Sequence, residues 1–413
     1  MHRRLFLSLA IAGCAGAASA QAPTPADLLG ASGEPYFIDW LNGFYAKAIA
    51  AGIPRPVADR ELSGLTPDPR IGALDARQPE FARPVGDYIK GVVTDNRIAA
   101  GRIKRRSVPG LNGIERTYGV PRDILIGVWA MESGFGALQG DFDTVRSLGT
   151  LAALGRRRPW AEAELIAALR ILALGDVPRA RLRGSWAGAM GQTQLLPSTY
   201  LSSAVDGDGD GRRDIWGSAP DALASAANLL AKGGWRTGEG WASEVILPAN
   251  FDYGLSEGPR QPPAWWRAHG ARRADGGSWS MADAAASASL ILPAGASGPA
   301  FLVFPNHFAI RTYNNSIAYA LAVGLLADGF AGDGALRTPW PHETALSLTD
   351  RMAAQTALVR LGYNPGQPDG VVGLSTRAAL RAWQKSRGLP ADGYLSPQMV
   401  SALRGAAGPL GPT

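Results

Sequence analysis

The stretch Val128-Trp129-Ala130-Met131-Glu132-Ser133-Gly134-Phe135-Gly136 decides how the rest of the chain is read. It closes an apolar run that begins at Tyr118-Gly119-Val120-Pro121-Arg122-Asp123. Pro121 suits a first helical position, where its missing N–H is not needed. Ile124, Leu125, Val128 and Met131 recur at helical spacing and predict a core face. Gly134 and Gly136 then stop the helix. One carboxylate, Glu132, stands at the last turn. Burial disfavours its ionised form and raises the pKa, which suits a general acid near neutral pH. A Glu that simply faces water is the competing reading, since most carboxylates are exposed. The rest of the sequence has to choose between them.

The chain has 413 residues, 46% hydrophobic and 18% charged, which bounds it to two or three globular domains with a sizeable core. A net charge of +6 suggests an anionic partner such as a bacterial wall polymer. No Lys/Arg run is interleaved with aromatics as a nucleic-acid groove requires, so no nucleic-acid partner is expected. The short clusters Arg102-Ile103-Lys104-Arg105-Arg106 and Arg156-Arg157-Arg158 read as solvated helix ends. Residues 1–20 read as a signal peptide: basic His2-Arg3-Arg4, apolar Leu5 to Ala12, and a small-residue site Ala18-Ser19-Ala20 before Gln21. Ile11-Ala12-Gly13-Cys14 also fits a lipoprotein box, and Cys14 is the chain's one cysteine. The expected location is therefore the periplasm, or alternatively the outer membrane with Cys14 lipidated. A monomer is expected.

From Tyr36 to about Lys232 the pattern is mostly helical, with a clear helix over Ala161 to Leu174. A small β subdomain is expected at about 238–310, on the short apolar runs Val245-Ile246-Leu247, Leu290-Ile291-Leu292 and Phe301-Leu302-Val303-Phe304. Trp265-Trp266 between them read as core, or as a sugar-stacking surface. A helix returns at Ser316 to Leu326, and Ala331 to Thr344 reads as a flexible linker. The division is 21–335 for the larger domain and 345–405 for a small helical unit. The fold class is mainly α.

Three further stretches carry chemistry. Gly184-Ser185-Trp186-Ala187-Gly188-Ala189-Met190-Gly191-Gln192-Thr193-Gln194 is rich in small residues, which let a backbone approach a ligand. Its polar groups Ser185, Gln192 and Gln194 are neutral and suit a hydroxyl-rich ligand; tight helix packing is the alternative. Asp206-Gly207-Asp208-Gly209-Asp210-Gly211-Arg212-Arg213-Asp214 places carboxylates at loop positions one, three, five and nine, with Gly at six. This is an EF-hand-like pattern over 206–221 and predicts a structural Ca²⁺. Arg212 offers its carbonyl, position twelve is Gly217, and Asp221 could close the site. Finally, Arg311-Thr312-Tyr313-Asn314-Asn315-Ser316 leads into a helix carrying Tyr319, with Asn315 or Ser316 as its cap.

In this order the motifs resemble the lytic murein transglycosylase B family over about residues 35–330. The part from Leu361-Gly362-Tyr363 to Ala391-Asp392-Gly393 looks like the peptidoglycan-binding domain type 1, with three helices. The resemblance implies a lysozyme-like α domain that cleaves the β-1,4 bond between N-acetylmuramic acid and N-acetylglucosamine, leaving 1,6-anhydro ends. It implies Glu132 as the acid and base, and Ser185, Gln194, Tyr313, Asn314, Tyr319, Arg157 and Arg158 as substrate contacts. It implies Asp206, Asp208, Asp210, the Arg212 carbonyl and Asp221 as Ca²⁺ ligands, and no organic cofactor. Two departures stand out. Leu229 stands where the family often has Tyr, and the segment before Asp221 is one residue longer.

A hydrolase of the usual kind needs a second carboxylate ~5–9.5 Å from the first. Asp141 and Asp143 are near in sequence but read as exposed loop residues. A non-catalytic wall binder and a hydrolytic muramidase are the rival readings. A zinc amidase is not supported, because His269, His307 and His342 have no ligand spacing.

Overall fold

The computed structural model describes residues 33–76 and 83–408. The signal segment 1–20 with Cys14, and the tail after Gly408, lie outside the described residues.

In chain order the elements begin with α1 (Gly33–Ala50), α2 (Arg55–Leu62), α3 (Pro69–Ala76), α4 (Val85–Val92), α5 (Asp95–Ser107), α6 (Leu111–Tyr118) and α7 (Arg122–Ser133). Then come β1 (Phe142–Asp143), α8 (Thr144–Leu154), α9 (Arg158–Leu174), β2 (Arg183–Gly184), α10 (Pro197–Ser203) and α11 (Ala219–Lys232). The mixed part follows as β3 (Ala242–Ile246), α12 (Pro263–Ala268), β4 (Arg272–Arg273), α13 (Met281–Ala285), β5 (Ser289–Ile291) and β6 (Ala300–Val303). The chain ends in α14 (Pro305–Ile310), α15 (Ile317–Ala331), α16 (Leu348–Arg360), α17 (Leu374–Ser386) and α18 (Pro397–Ala407). Contacts divide the chain into two compact units, one of residues up to 78 with 100–233, the other of 79–99 with 234 onward. The fold is mainly helical, as the sequence pattern predicted.

In the first unit, α7 is buried from Ile124 through Ala130 without a break, so it is a central helix rather than one with a single core stripe. It packs against α6 and α11. Gly134 ends it in the left-handed region at φ 57°, its N–H reaching the carbonyls of Ala130 and Trp129. Beyond it, β1 and β2 pair antiparallel, Phe142 opposite Gly184 and Asp143 opposite Arg183. That pairing ties the segment after α7 to the start of the Gly-Ser-Trp stretch. The approach is close: a Cβ on Gly140, at φ +86°, would lie 2.1 Å from the Gly184 carbonyl oxygen.

The second unit holds an antiparallel sheet in the order β4-β3-β6-β5. Val245 faces Ala300 and Leu290 faces Leu302 in register. Val245, Phe251, Trp266, Leu290, Leu302 and Phe304 form its core. Trp266 is fully buried and donates Nε1–H to the carbonyls of Gln261 and Ala288, while half-buried Trp265 stacks on His269 at 3.7 Å. The C-terminal helices α16–α18 enclose Leu358, Leu380, Trp383 and Leu403. A capping box of Ser347 and Asp350 starts α16.

The stretch expected to be a flexible linker is pinned instead. The backbone N–H groups of Arg337 and Thr338 donate to the Glu244 carboxylate at 2.8 and 2.7 Å, and Tyr394 Oη donates to Glu343 at 2.6 Å. The C-terminal helices are also held to the sheet region directly. Glu257 accepts from Arg377 and Arg381, and Asp392 Oδ2 accepts from the Ala296 N–H. Gly and Pro content signalled a linker, but extended backbone with its amides bonded has the same composition.

Candidate active site

Glu132 sits half-buried in the last turn of α7, so it combines a buried helix with access to solvent. What fixes that turn is a buried glutamine. Trp129 Nε1 donates to Gln192 Oε1 at 3.1 Å, and Gln192 Nε2 donates to the Trp216 carbonyl at 3.2 Å. Ser133 Oγ donates to the Gln192 carbonyl at 2.5 Å and accepts from the Gly136 N–H at 2.8 Å. The residues on either side of Glu132's helical end are thus bonded to one residue of the Gly-rich stretch. The sequence offered Gln192 as a neutral sugar-binding group. The structure makes it a brace, 6% exposed, behind the helix.

The other predicted residues are distributed as follows. Ser185 Oγ accepts from the Ala189 N–H at 3.1 Å, which leaves its O–H as a donor. Gln194, at φ 48°, donates Nε2–H to the carbonyls of Gln139 and Gly191, leaving its Oε1 as an acceptor. Arg157 pairs with Asp75 at 2.8 Å and lies over the rings of Trp160 and Trp186, 4.9 and 5.7 Å from their centroids. Arg158 turns the other way. It donates to the carbonyls of Ala152 and Ala153 at the end of α8 and to Tyr36 Oη. All of these belong to the first unit.

Tyr313, Asn314 and Tyr319 belong to the second. Tyr313 and Asn314 are half-buried in the turn before α15, and Tyr319 is buried in its first turn. Ser316 caps that helix by accepting from the Tyr319 N–H, and Arg311 donates to Asn315 Oδ1 at 2.7 Å. Nearby, burial holds the His307 imidazole down at about 3, helped by Arg311 and Arg260. It is neutral at physiological pH.

Several carboxylates of the first unit are engaged by groups of the protein. Asp143 is not an exposed loop residue: it caps α8 by accepting from the Arg146 N–H at 2.9 Å and pairs with Arg179 at 2.9 Å. Arg179 also holds buried Glu61 at 2.9 Å. Asp68 pairs with Arg70 and Asp75 with Arg156 and Arg157. Glu164 accepts from the backbone and hydroxyl of Ser198.

One oxygen from each of Asp206, Asp208 and Asp210 lies within 4.8 Å of the others. Asp206 accepts from the N–H groups of Gly209 and Gly211 at 2.6 and 2.7 Å, and these bonds lower its pKa. Asp221 is buried behind the loop. Its oxygens accept from the N–H groups of Gly207 and Asp214 at 2.8 and 2.7 Å, while burial raises its pKa. Asp214, at position nine, is held by Arg181 at 2.8 Å. The donor set is oxygen only and preshaped, which fits a hard cation.

Fold and site together define a transglycosylase of the lysozyme-like helical class. The chain belongs to the Transglycosylase SLT domain family, whose model matches residues 36–328. A second model, described as a putative peptidoglycan binding domain, matches residues 347–403. Among solved structures the chain is similar to SltB3 from Pseudomonas aeruginosa in complex with NAG-anhNAM-pentapeptide, at 46% identity and TM-score 0.84, covering 89% of this chain and 99% of that one. It is similar to the membrane-bound lytic murein transglycosylase B of Escherichia coli (strain K12), 29% identical over 259 residues, 59% of this chain and 66% of that relative's length. The Escherichia coli lytic transglycosylase Slt35 in complex with calcium is 27% identical, with TM-score 0.60, covering 72% of this chain and 93% of that one. Among the described residues no helix is long and apolar enough to cross a membrane.

Proposed function

We propose that this protein cleaves the β-1,4 bond between N-acetylmuramic acid and N-acetylglucosamine in peptidoglycan without adding water, with Glu132 serving first as acid and then as base. The observation that carries this is the state of the carboxylates around it. Glu132 ends a central helix, while one of the two sequence candidates for a partner, Asp143, is committed to Arg179 and to the α8 cap. With Asp143 so engaged and Asp141 exposed on its loop, the general base proposed is Glu132 itself.

The steps balance without water. Glu132 gives its proton to the glycosidic oxygen as the bond to the anomeric carbon breaks. The substrate's own N-acetyl carbonyl stabilises the positive charge. The Glu132 carboxylate then takes the proton of the muramic 6-hydroxyl, and that oxygen bonds the anomeric carbon. Glu132 ends protonated, ready for another turn. Holding the 6-hydroxyl against the anomeric carbon makes this an intramolecular step, favoured where the cleft excludes water.

Ser185, Gln194, Arg157, Tyr313, Asn314 and Tyr319 are the proposed substrate contacts; Arg158, expected among them, instead spends its guanidinium on the Ala152 and Ala153 carbonyls and Tyr36 Oη. Family kinship supports this assignment, as do the free O–H of Ser185 and Oε1 of Gln194. Ca²⁺ is proposed at Asp206, Asp208, Asp210 and the Arg212 carbonyl, with Asp221 as the last ligand. The clustered oxygens of Asp206, Asp208 and Asp210 and the calcium complex of Slt35 support the site, while Asp221, whose oxygens accept from the Gly207 and Asp214 N–H groups, rests on family kinship. Bound there, the ion would neutralise three carboxylates and fix the turn between α10 and α11. The proposed domains are 21–335 and 345–405, the latter gripping the wall. The proposed location is the periplasm, with or without a lipid on Cys14, and the basic, apolar and small-residue order of residues 2–20 supports it.

Mass spectrometry of digested peptidoglycan tests the reaction. Anhydro ends run about 18 Da lighter than hydrolysed ends, the mass of the water that general acid–base hydrolysis adds. Glu132→Gln should release no product while still binding the wall. Hydrolysed ends, or wild-type turnover by that variant, would overturn the reading.

A further inference from the structure

The second unit contains a groove of about 410 Å³ where the sheet region meets the C-terminal helices. Its volume falls in the usual range of small-ligand sites, ~300–1,000 Å³. The charges on its wall do not cancel. Glu257 is taken by Arg377 at 2.8 Å and by Arg381. Asp392 has both oxygens occupied, Oδ2 by the Ala296 N–H and Oδ1 by Gln384 and the Tyr394 N–H. Glu343 accepts from Tyr394 Oη. Those three carboxylates are thus engaged by groups of the protein itself.

Two further arginines that line the groove, Arg83 and Arg351, have no carboxylate partner among the described residues. Arg351 is fixed by donating to the carbonyls of Gly370 and Leu346, both at 2.7 Å. Its Nη2 has no partner among the described residues, so part of its fork of donors remains. Arg83 is exposed, and no hydrogen bond or ion pair engages it among the described residues. Leu290, Leu292, Val372 and Leu395 add apolar lining to the same groove. The seam is also tightly closed. A Cβ on Gly295, at φ +66°, would lie 2.6 Å from Asp392 Oδ2 and 2.7 Å from Tyr394 Cβ. A groove whose walls are already in contact binds with little ordering penalty.

We propose that this groove binds the free carboxylate end of a peptidoglycan stem peptide, the carboxylate lying against Arg83 and Arg351 and small apolar side chains against the apolar lining. Two arginines with donors free of carboxylates, in a groove with apolar lining, match a short peptide acid better than an uncharged glycan. The proposal rests on the functional reading above, which supplies the wall polymer. The relative SltB3 was crystallised in complex with NAG-anhNAM-pentapeptide and with NAG-NAM-pentapeptide, saccharides that carry such peptides. It assigns peptide recognition to a composite surface, made jointly by the sheet region and the C-terminal helices.

Calorimetric titration of the full chain carrying Glu132→Gln, with the free stem pentapeptide and with the same peptide amidated at its C-terminus, tests it. The acid form is expected to bind and the amide to bind at least tenfold more weakly. Adding Arg83→Glu, a surface change that should leave folding intact, is expected to weaken the acid form to the level of the amide. Adding Arg267→Ala, an exposed arginine of α12 outside the groove, should leave this binding unchanged. Equal affinity for acid and amide, full binding by the Arg83→Glu chain, or loss of all binding with Arg267→Ala would each overturn it. The functional reading fails separately: a chain that binds the peptide through Arg83 yet yields no anhydro product keeps the groove and loses the reaction.

Discussion

Replacing Gln192 by Leu tests whether the brace behind α7 holds Glu132. Leu fills a similar volume, so the cavity penalty is small. The Ser133 bond goes to the Gln192 backbone carbonyl and survives. The Trp216 carbonyl keeps a donor, Gln139 Nε2 at 3.1 Å. The group left without a partner is Trp129 Nε1, on a residue 3% exposed. A buried donor without an acceptor costs about 1–3 kcal/mol. For units of this size that lowers the melting temperature by roughly 2–4 °C per kcal/mol.

The source of the loss can be isolated with Trp129→Phe, which removes the donor itself. The double variant then has no orphan, so it should be less destabilised than the sum of the singles by about 1 kcal/mol or more. Urea unfolding followed by circular dichroism measures this as shifts of midpoint at constant slope. At a temperature where Gln192→Leu is fully folded, kcat should fall about tenfold with KM little changed, since ~1.4 kcal/mol of lost positioning is a factor of ten. Additivity within about 0.5 kcal/mol, together with unchanged kcat, would refute the brace.

Chelation of divalent cations should lower the melting temperature of the native chain, and Ca²⁺ should restore it. At a hundredfold excess over Kd the expected gain is about 2.7 kcal/mol, and Asp208→Asn should abolish most of it; a chain indifferent to chelator has no such site. Burial pushes the Glu257 carboxyl up, but Arg377 and Arg381 together outweigh it and hold the group below its usual 4.5. A folded pKa below the unfolded one means stability that is present above 4.5 and lost as pH falls through the folded value. Glu257→Gln should flatten that part of the stability–pH curve, and an unchanged curve would show that another group governs it. Gly140→Ala should destabilise far more than Gly175→Ala. Both have positive φ, but an added Cβ meets the Gly184 carbonyl in the first and nothing within 4 Å in the second. Similar losses on thermal unfolding would mean the β1–β2 approach is looser than described.

What could be read beforehand was whatever local pattern encodes. The Glu-Ser-Gly-Phe-Gly end of α7, the strands near Val245, Leu290 and Phe301, and the acidic loop all depend on spacing within a few residues. Partners distant in sequence could not be read. Gln192 lies 63 residues from Trp129, and nothing in a Gly/Ala-rich stretch tells a brace from a ligand donor. Asp143 looked like a loop acid because its fate depends on Arg179, 36 residues on. The linker failed for a related reason. The amides of Arg337 and Thr338 find Glu244 more than ninety residues away, and no local composition announces that. Arg157 and Arg158, adjacent in sequence, separate in space because successive residues at a helix start point to different sides.

Backbone strain gives an independent view of the same place. Among the described residues, two non-glycine residues have positive φ, Phe135 at 64° and Gln194 at 48°. Such a conformation costs roughly 1–2 kcal/mol per residue and persists where surrounding contacts over-determine it. One lies just after Glu132 and the other two residues after Gln192, on the two sides of the brace. Each is held by its side chain. Phe135 meets Trp129 edge-on at 5.8 Å, and Gln194 bonds the carbonyls of Gln139 and Gly191. Glycine at either position would relax the backbone and lose those contacts. Keeping a strained residue is reasonable only if the side-chain position matters more than the backbone penalty. The strain therefore marks the segment that fixes Glu132 and Gln194, and it does so without reference to motif or family.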